Sequence, residues 1–103
     1  MNIEYCENED KKNLLIKVSG DCDMYSAQDF FINVTKKINS GYINIYLDFS
    51  NIIYLDSSGV GAIIRIVRLS REKNVNLKFR GIIGNPRKVL KMSNIITLIS
   101  EET

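Results

Sequence analysis

Tyr42-Ile43-Asn44-Ile45-Tyr46-Leu47-Asp48-Phe49 decides the fold, because its apolar and polar residues alternate with a period of two. Ile43, Ile45 and Leu47 fall on one side, and Tyr42, Asn44, Tyr46 and Asp48 on the other. That is the pattern of a strand buried on a single face. Val75 to Phe79 behaves alike, with Val75, Leu77 and Phe79 opposed by Asn76, Lys78 and, just beyond, Arg80. A sheet covered by helices on both faces needs strands that are nearly continuous apolar runs. The expected architecture is therefore α/β in two layers: a mixed four- to five-stranded sheet with helices packed on one face.

Working outward, Asn2 to Cys6 and Asn13 to Ser19 alternate too, and the polar stretch Glu7 to Lys12 reads as the loop of an antiparallel hairpin. After Gly20-Asp21-Cys22-Asp23, the residues Ala27, Phe30, Phe31, Val34 and Ile38 recur at helical steps and form one apolar stripe. Ser26 with Asp29 resembles a capping pair, Lys36 and Lys37 suit the negative end of the helix dipole, and Gly41 reads as a left-handed terminator. A later helix has Asn85 as its expected N-cap and Pro86 at its first position, with Val89 and Leu90 in the core. The short apolar run Ile95 to Ile99 is a candidate fifth, edge strand.

A chain of 103 residues with 45% hydrophobic content suits one domain, 1–103, with a single core. It has no long apolar run and no basic, apolar N-terminal leader, so neither a membrane span nor a signal peptide is expected, and the expected location is the cytoplasm. Cys6 and Cys22 are too few for a disulfide framework and are expected reduced. The absence of histidine removes the commonest general base and any imidazole zinc site. With no glycine-rich phosphate loop either, no catalytic residue, metal site or cofactor is expected, and the chain does not read as an enzyme. Residues 1–56 hold 5 basic and 9 acidic side chains and residues 57–103 hold 9 and 3, giving −4 and +6. A net charge of +2 is far from that of a nucleic-acid binder, but this polarity can steer a charged protein partner.

The informative stretch is Asp56-Ser57-Ser58-Gly59-Val60-Gly61, which runs into a helix ending near Lys73. That helix is apolar around most of its circumference, leaving Gly61, Arg65, Arg68 and Glu72 as a narrow polar strip. It must be flanked on more than one side, by sheet and neighbouring helices or by sheet and a partner protein. Asp56, Ser57 and Ser58 are all good cap residues, and capping alone accounts for them structurally. The same free N–H groups and positive dipole end also make a helix start an anion site, suited to a phosphoryl group on Ser57. Gly59 and Gly61 would admit another backbone, or simply pack against the sheet.

The motif Asp56-Ser57-Ser58-Gly59-Val60-Gly61 resembles the Asp-Ser-Ser/Thr-Gly-Leu-Gly of the STAS family, the domain shared by anti-sigma factor antagonists and sulphate transporters. The likeness extends through Gly20-x-x-Asp23, the Leu47-Asp48 strand, the Asn85-Pro86 helix and Met92-Ser93, with Val60 in place of the usual leucine and Cys22 where a larger apolar residue is frequent. The resemblance implies that Ser57 is a phosphoacceptor. It also implies that Asp23, Asp56, Ser58, Gly59, Val60 and Gly61 form its surroundings and a partner-binding surface. Its further implication is partner switching. The unphosphorylated protein binds an anti-sigma factor that is also an ATP-using serine kinase, phosphorylation ends the contact, and a serine phosphatase resets it.

Two other readings compete. In an adaptor or scaffold subunit of a transporter or signalling complex, the same fold would use Ser57 only as a helix cap. A phosphoaspartate receiver would take Asp48 or Asp56 as acceptor, but receivers resemble doubly wound sheets covered on both faces, against which the polar strand faces argue.

Overall fold

Four strands form one sheet in a computed structural model that describes residues 1–10 and 12–102. They are β1 (Asn2–Glu7), β2 (Asn13–Cys22), β3 (Asn44–Leu55) and β4 (Asn76–Arg80), ordered β1-β2-β3-β4. β1 and β2 are antiparallel, with Ile3 opposite Val18 and Tyr5 opposite Ile16, whereas β2, β3 and β4 run parallel. In the loop expected over Glu7–Lys12, Lys11 lies outside the described residues. Helices α1 (Ala27–Ile38), α2 (Ser57–Glu72) and α3 (Gly84–Met92) follow β2, β3 and β4 in turn.

All three helices cover one face. Leu14, Ile16 and Val18 of β2, Ile45, Leu47 and Phe49 of β3, and Leu77 and Phe79 of β4 are buried against Phe30, Val34, Ile63, Ile66 and Leu90 of the helices. Phe30, Phe49 and Phe79 form an edge-to-face chain with centroids 5.9 and 5.4 Å apart, the favoured geometry for aromatic quadrupoles. The opposite face keeps Lys17, Tyr46, Asp48, Lys78 and Arg80 wholly or partly in water. The mixed two-layer architecture is thus the one expected from the alternation.

Several local expectations are corrected. Ile43 does not share the buried face of Ile45 and Leu47; it is exposed, while Tyr42 is buried and its hydroxyl donates to Glu7. The strand starts only at Asn44, because Gly41 takes a left-handed turn (φ 93°) and the N–H groups of Ile43 and Asn44 both donate to Lys12 O. Ser26 precedes α1 but its side chain caps nothing there; Oγ donates to Asp21 O, and Asp23 Oδ1 instead accepts from the N–H groups of Tyr25 (3.0 Å) and Ser26 (3.2 Å). Asn85 is not the cap of α3 either. The helix begins two residues earlier than expected, at Gly84 behind Ile83, and Asn85 Oδ1 accepts from Leu55 N at 2.9 Å.

Ile95 to Ile99 forms no fifth strand, since Ile96–Leu98 is a 3-10 turn. The edge of β4 is shielded one step later, where Phe79 N donates to Ser100 O and Glu102 N donates to Phe79 O. Between sheet, α1 and this C-terminal segment, the broad apolar arc of α2 is enclosed by the chain itself, with Ile64 and Leu69 as partly buried flanks.

The parallel strands start on a shared row. Asn13, Asn44 and Asn76 lie in register, and their amides form a ladder: Asn44 Nδ2 donates to Asn13 Oδ1 at 2.8 Å and Asn76 Nδ2 to Asn44 Oδ1 at 2.9 Å. Asn44→Ala breaks both rungs, and urea denaturation should show stability reduced by about 1 kcal/mol, the net value of such bonds at a half-exposed site.

Candidate functional site

The strand that carries the site bends on the way to it. Lys17 pairs with Asp48 but Ser19 with Asn51, and Gly20 pairs with Ile52 but Asp21 with Tyr54. β3 therefore carries an extra residue at each of two bulges, which raise local twist. The buried positions consequently run Phe49, Ile52, Leu55. Each bulge resets which parity faces the core, and Leu55 packs inward immediately before the chain turns into α2.

Asp56 makes that turn. Its backbone is extended, and its N–H donates to Cys22 O at 3.3 Å. Oδ1 accepts from the N–H groups of Ser58 (2.9 Å) and Gly59 (3.2 Å), and Oδ2 accepts from Met24 N at 3.1 Å, just ahead of α1. One carboxylate thus caps α2 and ties its start to that of α1. Asp23, across this junction, spends Oδ1 on the Tyr25 and Ser26 amides.

Ser57, the first residue of α2, and Ser58 after it are exposed, and the Ser57 hydroxyl has no hydrogen-bond partner among the described residues. Its place at a helix start is as expected from the sequence. The expectation of free amide donors is corrected: the two most favourably placed ones already serve Asp56, so an added anion would stand beside that carboxylate and not replace it.

Gly59 and Val60 are buried, so these two of the expected surface residues hold the site in place instead of facing a partner. A Cβ on Gly59 would lie 2.5 Å from Leu55 Cδ1 and 2.9 Å from Cys22 Sγ, and would clash with Cys22 O. Of the two readings of these glycines, Gly59 takes packing against the sheet. Gly61 is half-buried, and a Cβ there would meet nothing within 4 Å.

Gly61 opens onto a groove of about 420 Å³ between α1 and α2, lined among others by Met24, Gln28, Phe31, Ser58 and Arg65. Arg65 stacks its guanidinium on the Phe31 ring, 3.9 Å from the centroid. The sequence placed Phe31 in a core stripe and Arg65 in a polar strip, and neither position shows that they meet. Met24, 67% exposed, lines this groove, and Tyr25, 86% exposed, lies next to it in the chain; neither had a periodic signal to mark it.

Beneath the site, Cys22 is buried, and its thiol is pushed up to about 12, chiefly by burial and then by the carboxylates of Asp56 and Asp23. Cys6 is exposed; both cysteines are free. Among the described residues no cluster of potential metal ligands occurs, and no helix is long and apolar enough to cross a membrane.

Residues 5–102 match the family described as the STAS domain. An anti-sigma-B factor antagonist of Staphylococcus aureus is 21% identical over 99 residues, covering 96% of this chain and 92% of the relative. The anti-sigma factor antagonist SpoIIAA in its unphosphorylated form has a similar fold, with a TM-score of 0.78 at 18% identity over 99% of this chain and 89% of that one. The Bacillus cell fate determinant SpoIIAA in the phosphorylated form gives 0.71 at 18% identity, covering 99% and 92%.

Gly59→Ala should cost about 1–3 kcal/mol in urea denaturation, the price of overpacking against backbone that cannot yield. Gly61→Ala should be neutral or stabilising by up to about 1 kcal/mol, because only helix propensity changes. Iodoacetamide at neutral pH should label Cys6 and spare Cys22, since the thiolate is the nucleophile and the buried thiol stays protonated; peptide mass mapping reads both sites.

Proposed function

The chain belongs to the STAS domain family, and on that premise we propose that it is an anti-sigma factor antagonist whose hold on its partner is ended by phosphorylation of Ser57. The observation that carries this reading is the unengaged, exposed Ser57 hydroxyl, one residue beyond a cap that fixes its position. The names of the relatives supply the partner class, an anti-sigma factor.

The chemistry asks nothing catalytic of this domain. A serine kinase, the anti-sigma factor itself, presents ATP. Ser57 Oγ attacks the γ-phosphorus, the new O–P bond forms as the bridging bond to the β-phosphate breaks, the hydroxyl proton passes to a base of the kinase, and ADP leaves. A serine phosphatase reverses the modification with water, returning the hydroxyl and releasing inorganic phosphate. The domain is the substrate in both steps and needs no cofactor.

Release follows from electrostatics. The phosphoryl group brings about −1.5 to −2 charge to a place already holding Asp56, with Asp23 nearby. In the free domain water screens these charges. Under a bound partner they would be stripped of water, which costs several kcal/mol unless a cation answers them. Val60 and Gly59 lie beneath, so the core is untouched and the change is confined to the surface.

Incubation with the cognate anti-sigma factor and ATP should place phosphate on Ser57 in mass-spectrometric mapping; phosphate elsewhere, or none, refutes the proposal. Ser57→Asp should weaken the complex at least about tenfold, roughly 1.4 kcal/mol, with the melting temperature within about 2 °C of wild type because an exposed position changes.

A further inference from the structure

If Ser57 carries a phosphoryl group, that group needs a cation, and the helix terminus does not supply enough: Asp56 already engages the Ser58 and Gly59 amides. The inference below rests on the reading of Ser57 as the modified residue.

Ser57, Gly61 and Arg65 stand four residues apart on α2, so they form one ridge of the helix surface. The middle position has no side chain and open space above it, leaving a clear path between the outer two. Helical side chains lean toward the N-terminus of their own helix, which for Arg65 is toward Ser57.

The Arg65 guanidinium is already partway there. α1 and α2 each connect parallel strands and begin side by side, tied by the bond from Met24 N to Asp56 Oδ2. Phe31 is the fifth residue of α1 and Arg65 the ninth of α2. With a rise of 1.5 Å per residue, Phe31 sits about 6 Å from the paired helix starts and the Arg65 backbone about 12 Å. Stacked over the Phe31 ring, the guanidinium is therefore about one turn along the helix axis from the level of Ser57, in a groove lined by the neighbouring Ser58. A seryl phosphate and one charge-assisted hydrogen bond of about 2.8 Å cover the axial part of that remainder, and the guanidinium swings off the ring to cover the rest. Arg65 has no carboxylate partner to leave among the described residues; the ion pairs there join Arg80 to Glu102 and Arg87 to Glu101.

We infer that Arg65 is the internal counter-ion of phosphorylated Ser57, leaving the face of Phe31 to grip the phosphate across Gly61. Attraction between full charges outweighs that between a cation and a ring quadrupole, so the exchange runs toward the phosphate once it is present. The modification then has a second effect besides added charge: the α1–α2 groove loses its cationic wall and Phe31 is uncovered. Arg68, three residues further along α2, starts about 16 Å from Ser57 and is out of reach.

The test uses the whole chain with phosphoserine installed at Ser57 during translation, so that no kinase is required. Phosphorus NMR titration should give a phosphate pKa lower in the wild type than in Arg65→Gln by about half a pH unit, the direction a nearby cation imposes. Arg65→Lys should fall between the two, and Arg68→Gln should match the wild type. The Phe31 ring resonances should move on phosphorylation in the wild type and stay in place in Arg65→Gln. Equal phosphate pKa values in wild type and Arg65→Gln, with unmoved Phe31 signals, overturn the inference. Such a result leaves the switch itself standing, since that is decided by where a kinase places phosphate on the unmodified protein.

Discussion

The Asp56 carboxylate accepts three backbone N–H groups, two from the first turn of α2 and one from the residue leading into α1. Charged acceptors make the stronger hydrogen bonds, and this one also lies at the positive end of the α2 dipole. Much of the site's geometry depends on it. With the helix start pinned, the helical period sends Gly59, Val60 and Ile63 into the core, which leaves Ser57, Ser58 and, further on, Gly61 and Arg65 on the outer side. Exposure of the serines is thus a consequence of one cap and one period.

Pinning the cap requires that β3 deliver Asp56 to the right place, and the path is set by its neighbours. β4 pairs with β3 only from Asn44 to Asp48, so the later half of β3 has no strand on that side. The two bulges fall in this half, where one-sided pairing leaves the strand free to twist. Gly81, left-handed at φ 65°, lets the chain after β4 press against Ser50, where any Cβ would clash with the serine side chain. Asn85 then supplies the acceptor that a longer β4 would have given Leu55 N. The start of α3 thus substitutes for sheet pairing next to the site.

The legible part of this structure is what periodicity controls. Alternation over Asn44–Phe49 and Asn76–Arg80 gives the half-wet sheet, and the α1 stripe and the α2 cap region follow from spacing and composition. Misread features share a cause: a polar side chain near a helix start satisfies several local patterns equally well. Ser26 and Asn85 are both good caps by composition, yet Ser26 is drawn to Asp21 O in the turn before α1, and Asn85 to Leu55 N, which tertiary folding brings close. Ile95 to Ile99 has strand composition, but the 3-10 turn there buries Ile99 and sends Ser100–Glu102 to the β4 edge. At the site, Asp56 and Ser57 were readable because cap chemistry is local. The meeting of Arg65 with Phe31 was not, because it depends on how two helices lie side by side.

A domain with no histidine, and with no metal-ligand cluster among the described residues, can still carry information if another protein alters its charge. The position of the alterable group then decides how large the response is. At an exposed helix start, a dianion changes the free domain little, because water and ions screen it. The same group under a partner is far more costly, because desolvation scales with what covers it. In the proposed switch the acidic surroundings would sharpen that contrast: residues 1–56 carry a net −4, and the Asp56 carboxylate caps the helix that Ser57 begins. A cation on the domain itself works against the contrast by offsetting part of the new charge before any partner arrives. Arg65 would therefore trade some electrostatic repulsion for a change in groove shape, coupling charge to surface contour through one side chain.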